Sequence, residues 1–356
     1  MVSRRRFLVA SAAALWGSQL RAAPSERITI GMIGCGGHGI AMNLRSFLAQ
    51  PDAQVLAVCD VDQQRMEQAR DLVNQKYGNT DCAIYGDFRA LLQRRDIDAV
   101  CISTPDHWHV PISLMALRAG KDVICEKPTL TIEEGRVLSN TVRRLGRIFQ
   151  TATEDRSLYQ YHRMAEIVRN RRIGRLMRIE VGLPSGYRGS GDPTPQPVPD
   201  GFDYEMWLGP APWAPYCPDR CHWNFRWISD YSGGILTDWG AHLLDTAQWA
   251  NDTEHTGPVE VEGTGKRPEK GLYDTFYDFQ LRYRYANGVE MTVDDRGVRL
   301  RFIGTDGWVG NTGWRGPLQA STREILDAPI GATEVKLYTC TGGEHRNFLD
   351  LSLIHI

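Results

Sequence analysis

The stretch Ile28-Thr29-Ile30-Gly31-Met32-Ile33-Gly34-Cys35-Gly36-Gly37-His38-Gly39 decides the fold class of this chain. It opens with a short apolar run typical of a buried parallel strand, and the glycines after it match G-x-G-x-x-G at the start of a predicted helix. Gly34 permits the tight turn, Gly36 lets backbone approach a pyrophosphate, and Gly39 lets the helix pack close to the strand. The stretch therefore predicts a dinucleotide site built from Gly34, Cys35, Gly36, Gly37, His38 and Gly39.

Beyond this stretch, short apolar runs alternate with amphipathic segments, a pattern that indicates a parallel sheet with crossover helices. The predicted strands are 28–33, 54–59, 82–85, 99–103, 122–125 and 147–150. The predicted helices are 40–49, 63–77, 88–94, 110–118 and 132–145. Residues 25–152 are therefore expected to form an α/β Rossmann-like domain with a parallel sheet.

After residue 153 the alternation stops. A predicted helix at 158–170 and a strand at 175–183 lead to residues 184–218, which hold nine of the 18 prolines and should form a long ordered excursion. A helix at 234–250 and antiparallel strands at 259–264, 275–285, 289–294 and 299–304 follow. Residues 153–350 are therefore predicted to be an α+β domain with an open, largely antiparallel sheet.

The composition is that of an ordinary globular protein. The 356 residues leave room for two domains, and 42% of them are hydrophobic and 24% charged. A net charge of -2 gives no support for nucleic acid or an anionic membrane as a partner. We expect a small substrate without strong charge.

Asp60 ends the second predicted strand and is a candidate cofactor ligand. A carboxylate at this place can accept both hydroxyls of an adenosine ribose and would repel a 2'-phosphate, so it favours NAD over NADP. It can also cap the helix that follows, and both roles are compatible.

Glu126-Lys127-Pro128 closes the apolar run 122–125 and supplies the lead catalytic candidate. A lysine at the carboxyl end of a parallel strand can lie beside a cofactor, where it can hydrogen-bond a substrate hydroxyl or carbonyl. Taken alone, the tripeptide is better explained by a surface lysine before a turn proline. Its place among the other motifs favours catalysis by Lys127, with Glu126 beside the cofactor.

Thr104-Pro105-Asp106-His107-Trp108-His109 follows the fourth predicted strand at the same edge of the sheet. This loop is expected to flank the ribose and nicotinamide of the cofactor, through Thr104, Pro105, His107 and His109. The two histidines resemble a metal pair, but the sequence offers no third ligand, so we favour packing and hydrogen bonding and predict no metal site.

Asp238-Trp239-Gly240-Ala241-His242 is the second catalytic candidate. A spacing of four places Asp238 and His242 on one helix face, so the carboxylate can bind or orient the imidazole near a substrate hydroxyl. A lone pair of this kind is usually structural. Here it accompanies a cofactor motif and a lysine at a strand end.

Cys217 and Cys221, with His222 adjacent, have two interpretations. They could form a disulfide in an oxidising compartment or, less favoured, contribute to a zinc site. A disulfide across so short a loop would be constrained.

Together these motifs resemble the glucose-fructose oxidoreductase, inositol dehydrogenase and rhizopine-catabolism (Gfo/Idh/MocA) family. The resemblance implies oxidation of a sugar or cyclitol by bound nicotinamide, with Lys127, Asp238 and His242 at the catalytic positions. In this interpretation His242 accepts the hydroxyl proton, because its ordinary pKa is the lower, Lys127 stabilises the oxygen, and Asp238 orients His242. The family also implies a homo-oligomer associated through the open sheet.

Aromatic residues are concentrated in the second domain, where six of the ten tryptophans fall between residues 207 and 249. Any single one is better explained as core. The candidates for a carbohydrate-binding wall are Tyr187, Trp223, Arg226 and Trp227.

The two ends of the chain carry further predictions. Ser3-Arg4-Arg5-Arg6-Phe7-Leu8 and the apolar run after it resemble a twin-arginine export signal over residues 1–24, which predicts a periplasmic protein. Leu351-Ser352-Leu353-Ile354-His355-Ile356 is interpreted as a non-native tail translated from sequencing-adapter DNA, with the natural carboxyl terminus missing.

These observations predict an NAD(P)-dependent oxidoreductase that acts on a CH–OH group of a sugar, sugar derivative or polyol. Because no renewable NAD pool is expected outside the inner membrane, the cofactor should be tightly bound. Two alternatives remain open. One is an NAD-dependent glycoside hydrolase that uses transient oxidation and elimination, and the other is a non-catalytic nucleotide-binding sensor.

Overall fold

The computed structural model describes residues 27–355. The predicted export signal at residues 1–24 lies outside this range and stays a prediction. Within the described residues, no helix is both long enough and apolar enough to cross a bilayer.

The first domain is built on six parallel strands in the order β3-β2-β1-β4-β5-β6. Each strand except the two at the edges is covered on both faces, which explains the apolar runs of the sequence. The strands are β1 (Ile28–Ile33), β2 (Ala53–Cys59), β3 (Ala83–Tyr85), β4 (Ala99–Ile102), β5 (Asp122–Cys125) and β6 (Phe149–Thr151). The predicted Rossmann-like sheet is confirmed.

The crossover helices begin and end at the signals that the sequence carries. A π-helical turn, Gly39–Leu44, runs directly into α1. Asp62 caps the next helix by accepting from two backbone N–H groups, and Gly78 ends it at a φ of 70°. The helices are α1 (Arg45–Ala49), α2 (Gln63–Tyr77), α3 (Phe88–Leu92), α4 (Asp106–Arg118) and α5 (Ile132–Leu145).

Helix α4 corrects one prediction. It begins at Asp106, four residues before the predicted start, so the last four residues of the expected loop Thr104–His109 are helical. Pro105 has a φ of -61° and precedes an acidic first turn, both of which favour helix initiation.

The second domain is an open sheet of seven strands in the order β13-β12-β11-β7-β10-β9-β8. All neighbours are antiparallel except β7 and β10. The strands are β7 (Leu176–Gly182), β8 (Pro258–Lys266), β9 (Tyr277–Tyr285), β10 (Glu290–Asp294), β11 (Arg299–Gly304), β12 (Trp308–Thr312) and β13 (Gln319–Ala320). The largely antiparallel prediction is confirmed, although the sequence did not predict β12 or β13.

Helices cover one face of this sheet and enclose a core that includes Tyr161, Ile179, Leu243 and Phe302. These helices are α6 (Tyr159–Arg169), α7 (Tyr204–Leu208), α8 (Ile235–Asp238), α9 (Gly240–Ala250) and α10 (Arg323–Asp327). The edge strand β8 is largely exposed. The predicted self-association through this sheet stays a prediction.

The last helix, α11 (Glu344–His355), returns to the first domain, whereas the sequence assigned residues as far as 350 to the second. Phe348 and Leu349 are fully buried in the core of the first domain, and Arg346 pairs with Asp52 at 2.6 Å. Ser352 donates to Asp122 at 2.6 Å. The predicted adapter origin of residues 351–356 stays a prediction.

Candidate active site

A cavity of about 630 Å³ lies between the two domains at the carboxyl edge of the parallel sheet. Its volume falls within the roughly 300–1,000 Å³ of small-molecule sites. The first domain contributes the glycine turn, the end of β2, the start of α4 and the end of β5. The second contributes residues from the excursion, from α8 and α9, and from the turn after β12. The predicted site residues that line it are Gly34, Gly36, Gly37, His38, Gly39, Asp60, Thr104, Pro105, His109, Glu126, Lys127, Trp223, Arg226, Asp238 and His242.

The glycine turn fits a dinucleotide because two of its positions exclude side chains. Gly34 has a φ of +93°, and a Cβ there would lie 2.5 Å from the backbone of Ser103. A Cβ on Gly39 would lie 2.4 Å from the carbonyl oxygen of Gly34. By contrast, a Cβ on Gly37 would have nothing within 4 Å. The turn thus packs tightly against β4 and keeps its other side open to the cavity, as the close approach of a pyrophosphate requires.

Asp60 lies at the end of β2 and lines the cavity, as expected for a ribose ligand. Its carboxylate already accepts from the backbone N–H groups of Cys35, at 2.5 Å, and Asp62, at 2.9 Å. Burial raises its pKa. Cys35 differs from the prediction, because its thiol is buried against the carbonyl of Cys59 and lies outside the cavity lining.

Some residues of the segment after β4 line the cavity, and others pack against the second domain. Thr104 and Pro105 line the cavity. Within the described residues the buried hydroxyl of Thr104 has no hydrogen-bond partner, so it is available to a ligand. The ring nitrogens of His109 lie 2.8 Å from the carbonyl oxygens of Pro128 and of Thr104.

His107 was predicted to contact the cofactor, but it lies outside the cavity lining. Its ring is buried against Trp207 and Tyr231, and its Nε2 lies 2.9 Å from the carbonyl oxygen of Trp207. The helical start of α4 turns the side chain toward the second domain. These contacts are those that the packing interpretation predicts for His107, whereas His109 lines the cavity.

Glu126 lies beside Lys127 at the end of β5 and contacts the glycine turn through His38. Its Oε1 accepts from Asn43 at 2.8 Å and lies 2.9 Å from Nε2 of His38. Burial opposes ionisation, but the hydrogen bonds and charges around it, His38 first, lower the pKa of Glu126 to about 2. Glu126 in turn raises the pKa of His38. Asn43 also contacts His345 of α11 at 2.8 Å, so the last helix buttresses this network.

Lys127 is held by Asp238 from the other domain. Its ammonium donates to Oδ1 of Asp238 at 2.6 Å and to the carbonyl oxygen of Asp238 at 3.1 Å. The second carboxylate oxygen accepts from Nε of Arg226 at 3.1 Å. Burial favours the protonated acid, but the two cations together lower the pKa of Asp238. The three side chains form a charged group fixed on the cavity wall.

His242 corrects the predicted arrangement of the catalytic pair. Both oxygens of the Asp238 carboxylate are taken by cations, and among the described residues Nδ1 of His242 is buried with no hydrogen-bond partner. Asp238 therefore does not orient the imidazole. Burial and the Lys127 ammonium lower the pKa of His242 to about 4, so its ring is neutral at pH 7.

Only two of the four residues predicted to form a carbohydrate-binding wall line the cavity. Trp223 lines the cavity, and the guanidinium of Arg226 stacks 4.2 Å from its ring centroid. Tyr187 and Trp227 instead stack on each other at 5.2 Å, outside the lining of the cavity. Trp227 is a core residue because its neighbours in the folded domain bury it, which spacing alone does not reveal.

Cys217, in the excursion, and Cys221, just after it, are not joined in the part of the chain that the structure describes. Cys217 and Cys221 are free and buried, and burial raises the pKa of Cys221 to about 12. Across the same residues, no group of three or more histidine, cysteine, aspartate or glutamate side chains could hold a metal ion.

Sequence reasoning missed several residues of the site. Glu154 and Trp314 line the cavity together with His242, Phe202 lines it from the excursion, and His222 lines it from just after the excursion. Asn43 hydrogen-bonds both Glu126 and His345. A signal existed for Glu154, because it follows β6 at the same sheet edge as Lys127. The other four come near the site only through packing between distant segments.

The parallel sheet with its glycine turn, the open sheet and the shared cavity define a two-domain protein of the Rossmann class. Two family models match it. One, described as the oxidoreductase family, NAD-binding Rossmann fold, covers residues 28–153. The other, described as the oxidoreductase family, C-terminal alpha/beta domain, covers residues 162–311. The chain therefore belongs to the Gfo/Idh/MocA oxidoreductase family.

Two curated relatives carry different names. A glycosyl hydrolase family 109 protein of Stenotrophomonas maltophilia (strain K279a) is 29% identical over 248 residues, which are 65% of this chain and 51% of that protein. D-glucoside 3-dehydrogenase of Escherichia coli (strain K12) is 31% identical over 226 residues, or 63% of this chain and 54% of that protein. The chain thus spans about half the length of these relatives.

A solved structure shares the architecture over most of both chains. The crystal structure of GenD2 from gentamicin A biosynthesis in complex with NAD has a TM-score of 0.63 and 18% identity to this chain. The match covers 97% of this chain and 88% of that one. At this identity, the likeness bears on the fold alone.

Proposed function

We propose that this protein oxidises a CH–OH group of a sugar, sugar derivative or polyol, with NAD as the hydride acceptor. The observation that carries the proposal is the convergence of Lys127, Asp238 and His242 on the cavity that also holds the glycine turn. An anchored cation and a neutral imidazole are the two groups that hydroxyl oxidation needs. D-glucoside 3-dehydrogenase, a relative by sequence, bears a name of the same reaction class.

In the proposed mechanism, His242 takes the proton of the substrate hydroxyl. Its ring is unprotonated at pH 7, because burial and Lys127 lower its pKa to about 4. Lys127 donates to the substrate oxygen and stabilises the negative charge that develops there. Bound NAD would supply the electrophilic nicotinamide that receives the hydride. Asp238 positions the ammonium of Lys127 rather than the imidazole of His242.

We propose that the cofactor remains bound between turnovers. The excursion crosses the end of β2, where Gly201 accepts from the backbone N–H of Gln63 at 2.9 Å and Asp203 donates to Val61 at 2.8 Å. Phe202 between them lines the cavity beside Asp62. This crossing lies beside the end of the cavity at which Asp60 would hold the adenosine, and it supports slow release of the cofactor.

Purified protein should carry NAD in about equimolar amount, with little NADP, after gel filtration. Mass spectrometry of the supernatant after denaturation measures it. Phe202→Ala should bind NAD about tenfold more weakly and therefore retain less of it, since one lost aromatic contact of about 1.4 kcal/mol corresponds to that factor in affinity. Phe276→Ala, at a partly exposed phenylalanine outside the cavity, is the matched control. Protein that purifies without nucleotide, or with NADP, contradicts the proposal.

An NAD-dependent glycoside hydrolase is the second candidate, favoured by the name of the glycosyl hydrolase family 109 relative. Such an enzyme oxidises the sugar, uses the acidified C–H to expel the leaving group, adds water and returns the hydride. The same groups serve both reactions, because His242 and Lys127 act at a hydroxyl in each. The two candidates differ in whether a glycosidic bond breaks.

Incubation with free sugars and with aryl glycosides, without added NAD, distinguishes the candidates. We expect a free sugar or polyol to reduce the bound cofactor, seen as the absorbance of reduced nicotinamide. Release of the aryl alcohol without net reduction would instead identify the glycosidase. Protein that contains bound nucleotide but shows neither response would refute both enzymatic candidates. It would favour the non-catalytic nucleotide-binding sensor.

We also propose export by the twin-arginine route, based on Arg4-Arg5-Arg6 before an apolar run. Replacing all three arginines by lysine should keep the protein in the cytoplasm, because the receptor reads the arginine pair rather than charge. Fractionation of cells that express the full chain measures it, with Arg27→Lys as the control. An unchanged distribution would count against export by this route.

A further inference from the structure

We propose that Glu154 is the positioning residue of His242: it accepts the Nδ1–H of the imidazole and thereby leaves Nε2 free for the substrate proton. The inference rests on the proposed role of His242 as proton acceptor. It assigns a role to a residue that follows the last strand of the first domain, in the short 3-10 helix Glu154–Ser157 that leads into the second domain.

The geometry around Nδ1 points to Glu154. Oε2 of Glu154 lies 3.9 Å from Nδ1 of His242, and both side chains line the cavity and are largely buried. Among the described side chains Nδ1 has no hydrogen-bond partner, although its atom is buried. A buried donor or acceptor is rarely left unpaired. Hydrogen bonds of catalytic groups are often long before the substrate binds, so a movement of about 1 Å would complete this one.

Asp238 cannot position His242 while Lys127 and Arg226 are bound to its carboxylate. Its two carboxylate oxygens accept from Lys127 and from Arg226, and its carbonyl oxygen also accepts from Lys127. Glu154, in contrast, approaches the ring from the first domain, and its Oε1 lies 3.6 Å from the guanidinium of Arg315. The Arg315 contact involves the other carboxylate oxygen, so Oε2 remains available to His242.

The position has a consequence for proton transfer. When Nδ1–H donates to Glu154, the neutral ring is held in the tautomer whose Nε2 has a lone pair. Transfer of the substrate proton to Nε2 then forms an imidazolium beside a carboxylate, which stabilises the new positive charge. Lys127 and His38 lower the pKa of His242 and so oppose its protonation, whereas Asp238 and Glu126 raise that pKa.

Two variants of Glu154 test the inference in the full chain with its bound cofactor. Glu154→Leu removes the acceptor, and we expect kcat to fall roughly 10- to 100-fold with KM nearly unchanged, a smaller loss than removal of the base itself. Glu154→Gln keeps an acceptor oxygen without the charge and should lose less, about 3- to 10-fold. The exposed Glu133→Gln is the matched control. Cofactor content and the thermal midpoint should not change.

Nitrogen-15 NMR of histidine-labelled protein supplies a readout that a structural role would not move. The resonances of His242, assigned as those missing from His242→Asn, should report Nδ1–H in the wild type and a mixture of tautomers in Glu154→Leu. Wild-type kcat and an unchanged tautomer in Glu154→Leu overturn the inference, even if His242→Asn is inactive. If Glu154→Leu does not fold, wild-type kcat in Glu154→Gln overturns it instead. Full activity in His242→Asn would refute the proposed function itself.

Discussion

Replacement of Lys127 by alanine should lower kcat roughly 10³-fold and leave the cofactor bound. The ammonium is the donor that stabilises charge on the substrate oxygen, and loss of one such donor typically costs about 10²- to 10³-fold. In the free protein this ammonium is fixed by two bonds to Asp238, so it is already oriented before the substrate arrives. Cofactor binding should persist, because the glycine turn and Asp60 do not depend on Lys127.

The measurement is reduction of bound cofactor by the sugar that reduces the wild type, followed in single turnovers with the nucleotide content determined in parallel. Lys76→Ala, at an exposed lysine in the last turn of α2, should behave as wild type. Loss of nucleotide from Lys127→Ala would assign the lysine to cofactor binding. Activity above about a tenth of the wild-type value would exclude it as the main stabiliser of the oxygen.

His242→Asn should lower kcat/KM by roughly 10²- to 10⁴-fold, the usual contribution of a general base. The effect should depend on pH in a defined direction. Burial and the Lys127 ammonium lower the pKa of His242 to about 4, so the ring of the free enzyme can accept a proton above that pH. Wild-type kcat/KM should fall as the pH drops through about 4, because the imidazolium cannot accept.

The pH profile of kcat/KM from acid to neutral conditions checks this expectation. The residual kcat/KM of His242→Asn should not fall as the pH drops through about 4. The exposed His255→Asn should retain both the wild-type rate and the wild-type profile. If His242→Asn loses activity but its kcat/KM still falls near pH 4, another group titrates at that pH.

Most of the first domain could be predicted from local pattern. The bounds of β1, β5, α2 and α5 match the predicted 28–33, 122–125, 63–77 and 132–145. These elements have strong local signals, such as the cap at Asp62 and the capping box of Thr131 with Glu134. The predicted start of α4, at residue 110, was four residues too late, and Pro111 lies within the helix rather than near its start.

The second domain was less predictable. Its seven-stranded order, with β7 parallel to β10, joins strands that are more than a hundred residues apart. The return of α11 to the first domain depends on the fit of Phe348 and Leu349 against strands at the other end of the chain. Periodicity indicates which face of an element is apolar, but not which distant surface will cover it.

For the candidate site, local sequence was enough to predict the glycine turn, the carboxylate at the end of β2 and the lysine at the end of β5, because backbone sterics and sheet geometry place strand ends together. The partners of the charged side chains depended on long-range packing. Asp238 is four residues from His242, yet it pairs with Lys127, 111 residues away, because a buried carboxylate is stabilised more by a cation than by a neutral imidazole. The same packing places Nδ1 of His242 3.9 Å from Glu154, a proximity that no spacing along the chain could reveal.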